Sequence, residues 1–99
     1  MRSQSVRVEW TVRAIEAVYD IIDHIAIDSP TAAVAVAKAI RDQTAQLADF
    51  PQLGRPGRVR GSRELVITGT PYLAAYRVEN DAVVIVRVVH GAQRWPRKL

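Results

Sequence analysis

Residues 62–90 read SRELVITGTPYLAAYRVENDAVVIVRVVH. Three strand-like runs, 63–68, 72–78 and 82–90, are separated by Gly69-Thr70-Pro71 and by Glu79-Asn80-Asp81. Gly, Pro and Asn in such short gaps are turn formers, and short turns favour antiparallel pairing. The last run, AVVIVRVVH, is apolar on both parities. A strand of that kind has neighbours on both sides and cover on both faces, which places it inside the sheet.

Working outward, 6–10 (VRVEW) alternates apolar and polar and reads as a half-buried strand with Val6, Val8 and Trp10 inward. Thr11 then caps a helix in which Ile15, Val18, Tyr19, Ile22, Ile25 and Ala26 recur at helical spacing. Glu16, Asp20 and Asp23 form its wet side. Ser29-Pro30 restarts the chain, because Ser is a good N-cap and Pro suits the first helical position. A second helix is expected over 30–49, packing through Ala33, Val36, Ala37, Ile40, Thr44 and Leu47, with Phe50-Pro51 ending it. So short a connection makes the two helices an antiparallel hairpin. Residues 51–62, PQLGRPGRVRGS, hold three glycines and two prolines and read as a loop. The order is therefore β-α-α-β-β-β, an α+β fold with a helical hairpin on one face of a mainly antiparallel sheet.

The chain has 99 residues, enough for a single domain over 1–99. Hydrophobic residues at 48% and charged residues at 24% exclude a disordered chain. There is no cysteine and there are two histidines, His24 and His90. Thiolate metal sites and disulfides are excluded, and no metal or other cofactor is expected. No apolar run approaches the roughly 20 residues of a membrane span, and the N-terminal stretch lacks a signal-like apolar segment. A cytoplasmic protein without a membrane partner is the expectation.

Charge is unevenly placed. Residues 1–50 carry five basic and seven acidic side chains, a balance of −2, while 51–99 carry nine and three, a balance of +6. Twelve of the fourteen basic residues are arginine, whose planar fork suits phosphate and carboxylate. Such a half suggests an anionic partner, nucleic acid or an acidic protein, the alternative being a solvated surface whose charge only aids solubility.

The β-α-α opening, FPQLGRPGR at 50–58, SRELVITGTPYLAAYRV at 62–78 and VVIVRVVHGAQRWP at 83–96 together resemble the RelE/ParE superfamily of bacterial toxins. The resemblance implies the toxin of a type II toxin-antitoxin system, held in a hetero-oligomer with a cognate antitoxin. It also implies one of two targets. RelE-like members cleave mRNA on the ribosome, and the HGAQRWP stretch leans toward that branch; ParE-like members inhibit DNA gyrase without catalysis.

Metal-independent RNA cleavage needs a base for the 2′-hydroxyl, cations for the phosphorane and an acid for the leaving oxygen. The resemblance places Arg63 and Arg94 near arginines that RelE-like toxins use on the phosphate. The alternative for Arg63 is that it anchors its loop through Glu64 or a backbone carbonyl. His90 is the proton-transfer candidate of this half, histidine being the side chain whose unperturbed pKa lies near neutrality, and it shares strand parity with Val84, Val86 and Val88. Tyr72 is a further proton-transfer candidate, whereas Tyr76 reads as core. Arg55, Arg58, Arg60, Arg87, Trp95, Arg97 and Lys98 are candidates for contact with RNA or another target. Two departures favour the non-enzymatic branch. Arginines, not lysines, precede Arg63, and no tyrosine follows Tyr76. Arginine cannot serve as a base at neutral pH.

Overall fold

The computed structural model describes residues 5–92. Strand β1 (Arg7–Trp10) leads into helix α1 (Val12–Asp28), and α2 (Pro30–Ala45) follows after one residue. Thr11 accepts a hydrogen bond from the Ala14 N–H through its hydroxyl, and Ser29 does the same for Ala32. Both expected caps are therefore in place. Helix α2 stops at Ala45 and tightens into a 3₁₀ turn, Gln46–Ala48, four residues short of the expected end at 49. Thr44 contributes to that end, since its hydroxyl donates back to the carbonyl of Ile40 at 2.7 Å.

Four further strands complete the sheet: β2 (Arg55–Pro56), β3 (Arg63–Val66), β4 (Tyr72–Glu79) and β5 (Ala82–His90). Their order is β1-β5-β4-β3-β2, with β1 parallel to β5 and all other pairs antiparallel. The expected loop thus contains a strand, β2, two residues long and paired with Arg63 and Glu64. Asn80 turns the β4–β5 hairpin with φ 52°, a conformation Asn tolerates. As expected, β5 lies inside the sheet.

Residues opposite one another in register share a face. Tyr76 pairs with Ile85, Ala74 with Val88 and Val78 with Val83, which defines the face under the helices. Ala14, Ile40, Leu47, Leu65 and Ile67 complete the core there. The register slips between Ala75 and Tyr76, leaving Val86 without a partner. This bulge separates residues of equal parity: Val88 and His90 lie with Ile85 and Val83, while Val84 lies on the opposite face with Arg77. The shared parity read for His90 and Val84 is corrected accordingly.

The two edges of the sheet end differently. Beyond β2, whose Pro56 has no N–H to offer, the side chain of Gln43 stands in for a strand. Its Nε2 donates to the Thr68 carbonyl at 2.9 Å and its Oε1 accepts from the Thr68 N–H at 2.8 Å. At the other edge, β1 carries no strand on its outer side among the described residues.

Candidate functional site

The loop rich in arginine is held by the strands beside it. Glu64 is buried, and its carboxylate meets Arg55 Nη2 at 3.2 Å and Arg58 Nε at 3.7 Å. It also accepts the backbone N–H of Arg58 at 2.7 Å. Arg58 in turn donates to the Gly91 carbonyl at 3.1 Å, tying the loop to the end of β5. A buried carboxylate held in this way is a structural anchor for the loop.

Arg63 anchors the loop as well. Its Nη1 donates to the Gly54 carbonyl at 2.6 Å and makes a long contact of 3.5 Å to Gln52. Of the two roles weighed for Arg63, the geometry displays the backbone-carbonyl anchor. Tyr76 closes the same turn: its hydroxyl accepts from the Gly54 N–H and donates to the Pro51 carbonyl, both at 2.8 Å. Burial pushes its pKa above 10.0, the main cause being loss of solvent around the phenol. The close approach demands glycine at 54, where a Cβ would stand 2.7 Å from the Tyr76 ring and 2.8 Å from the Glu64 carbonyl.

Tyr72 and His90 face one another across β4 and β5, with rings edge to face at 5.7 Å. His90 is exposed, and its Nδ1 accepts the N–H of Ala92 at 3.1 Å. This pair does not meet Arg63. Arg63 lies opposite Tyr76, four residues along β4 from Tyr72, roughly 13 Å at the usual strand rise. Arg87 lies on the face away from the helices, in one row with Arg55, Glu64 and Ala75. Its Nε is buried without a hydrogen-bond partner among the described residues. Arg60 is exposed, as is His24. Arg94, Trp95, Arg97 and Lys98 lie outside the described residues.

A second surface lies on the side of the helical hairpin. Val8 and Trp10 of β1, Ile15, Val18 and Tyr19 of α1, and Ala37, Ile40, Arg41, Thr44 and Ala45 of α2 line a groove of about 510 Å³. Ile15 and Tyr19, expected in the packing stripe, are 39% and 64% exposed. The signal was present in α1, whose apolar residues Val12, Ile15, Val18, Tyr19, Ile22, Ile25 and Ile27 spread beyond the arc one packing face requires. Those left over mark a surface seeking cover.

A model of the ParE toxin of type II toxin-antitoxin systems (parDE) matches residues 8–95. The chain belongs to the ParE toxin family. It is 41% identical over 93 residues to "Putative toxin Y4kP" of Sinorhizobium fredii, covering 94% of this chain and 96% of that relative. Toxin RelE2 of Caulobacter vibrioides is 37% identical over 87 residues, covering 88% and 97%. Among solved structures, the chromosomal ParDE system of P. aeruginosa matches with a TM-score of 0.79 and 27% identity over 89% of this chain and 98% of that one. Relatives with ParE and RelE names both stand close, so this ParE-family chain is the toxin of a type II system with an antitoxin partner.

Proposed function

We propose that this toxin acts by binding its target, DNA gyrase, and performs no catalysis. One observation carries the reading: among the described residues, the groups that phosphodiester cleavage would need are engaged elsewhere or kept apart. Arg63 is held by the Gly54 carbonyl, Glu64 is sealed between Arg55 and Arg58, and the Tyr72–His90 pair stands four residues away along β4. Cleavage depends on a base and a charge stabiliser within hydrogen-bond reach of one phosphate. The match to the ParE family supports the same branch. The sequence leaned toward the ribosome-dependent interferase, and the edge-to-face contact of Tyr72 with exposed His90 favours that second reading.

The antitoxin, on this reading, neutralises the toxin by laying an amphipathic segment into the groove between α1, α2 and β1. Exposed Tyr19 and Ile15 supply the apolar contact, and Arg41 at the rim supplies charge. The arginine loop, occupied with internal bonds, is the weaker candidate for that role.

The test is supercoiling by purified gyrase with increasing toxin, alongside a reconstituted translation reaction whose mRNA 5′ ends are mapped. Loss of supercoiling, reversed by antitoxin and accompanied by intact mRNA, is the expected result. Unaffected supercoiling with new ends inside ribosome-occupied codons, lost in Arg63→Ala, would install the interferase instead.

A further inference from the structure

We propose that the toxin meets gyrase through the β2–β3 hairpin, where the unused edge of the Arg63 guanidinium takes an acidic side chain of the target. This rests on the gyrase reading above and names the surface and the chemistry of that contact. A cavity of about 350 Å³ opens here, lined by Gln52, Pro56, Gly61, Ser62, Arg63 and Val78. Arg63 pairs with Tyr76, and Val78 has the same parity on β4, so the cavity is on the face that the helices cover farther along. Their cover ends within two residues: Tyr76 is fully buried and Val78 is 40% exposed. Arg63 spends only Nη1 on the Gly54 and Gln52 carbonyls, and its Nε and Nη2 have no partner among the described residues. Pinning one nitrogen holds the planar guanidinium in one orientation, so less rotamer entropy is lost when the remaining N–H groups bind.

The hairpin behind this cation is equally fixed. The Gly57 N–H donates to the Ser62 carbonyl at 2.8 Å, the Ser62 hydroxyl donates to the Val59 carbonyl at 2.6 Å, and Gly61 turns the chain at φ 83°. Glu64, next in sequence, belongs to the opposite face through its pairing with Ala75. The lining therefore carries one positive charge and no acid to cancel it. It holds no histidine or carboxylate to take a proton either, so the site can bind an anion without cleaving it. The distribution of charge selects the occupant. Affinity for nucleic acid comes from many phosphate contacts made together along the backbone. Here Arg55 and Arg58 meet Glu64 instead, which leaves the edge of Arg63 and, at the tip of the hairpin, exposed Arg60. One guanidinium edge in an otherwise neutral cavity matches one carboxylate, whose two oxygens it can meet side by side. Pro56 and Val78 give the stem of that side chain an apolar wall.

Val78→Glu tests this by giving the cavity a carboxylate of the chain's own, at a position exposed enough to accept it and without touching the Gly54 anchor. The full chain freed of antitoxin is assayed with purified gyrase for inhibition of supercoiling and for equilibrium binding. Val78→Glu should weaken both at least about tenfold, since the charge partner of gyrase is then already taken. Arg63→Lys, which keeps a donor for the Gly54 carbonyl but loses the second edge, should show the same loss and carries the test if Val78→Glu unfolds. Arg60→Ala should cost about threefold, mainly in the association rate. Thr31→Glu, the same change of charge on the exposed first turn of α2, should stay within about twofold of wild type. Inhibition by wild type that both cavity variants retain overturns the site and leaves the gyrase reading standing. An equal loss in Thr31→Glu reduces the effect to net charge and overturns it too. Binding of the toxin to duplex DNA alone, abolished by Val78→Glu, gives the cavity to phosphate and overturns the carboxylate. Supercoiling untouched by wild type removes gyrase itself, and this contact with it.

Discussion

Tyr76 and Tyr19 are the same residue used in opposite ways. Tyr76 is buried under the helices, and both hydrogen-bonding functions of its hydroxyl are spent on the 51–54 turn. Tyr19 stands 64% exposed on α1, its ring lining the groove. The difference extends to the surfaces around them. The arginine-rich loop beside Tyr76 contains much of the excess charge, and Arg55, Arg58 and Arg63 there are also tied to Glu64 or a backbone carbonyl. The helical side carries apolar groups that nothing among the described residues covers. On the proposed reading the partner goes to the groups left unsatisfied and not to the densest charge.

The comparison can be broken most forcefully at Tyr76. Tyr76→Ala should cost about 4 kcal/mol in urea unfolding, the usual loss for emptying a buried aromatic site. Tyr19→Ala should leave stability within about 0.5 kcal/mol of wild type. Equal losses at the two tyrosines would abolish the distinction. Gly54→Ala comes next, at roughly 2 kcal/mol, because the added methyl meets the Tyr76 ring and the Glu64 carbonyl; thermal unfolding reads it directly. On the binding side, Tyr19→Ala should weaken antitoxin affinity about 30-fold by calorimetry, in line with an aromatic hot spot. Unchanged affinity would move the antitoxin off the groove.

The smallest effect concerns pH. Burial raises the Tyr76 pKa above 10.0, so the folded state holds the phenol's proton longer than the unfolded chain does. The stability linked to that proton is complete below about pH 10 and declines as pH rises through the folded value. Urea titrations between neutral and strongly alkaline pH should show this decline, and Tyr76→Phe should remove that component of it.

Much of this architecture was legible in the sequence. Thr11 and Ser29 announced both helices, Asn80 the hairpin, and the two-parity run 82–90 an interior strand. What escaped has physical reasons. Strand β2 is two residues long and holds a proline, so no periodicity can reveal it. The bulge at Val86 is fixed by the partner strand and by the Thr11 hydroxyl, which reaches the Val86 carbonyl at 3.4 Å, and neither contact is local. Glu64 alternates correctly as an outward residue of β3; its burial comes from arginines six and nine residues earlier. The groove was hidden because a single stripe was assumed for α1, although its apolar residues exceeded what one stripe can bury.

The Gln43 amide on Thr68 also works against aggregation. A sheet edge with free N–H and C=O groups can recruit a strand from another copy. Here a helix side chain fills both outward groups of Thr68, just past the end of β3, so an incoming strand would first have to displace it.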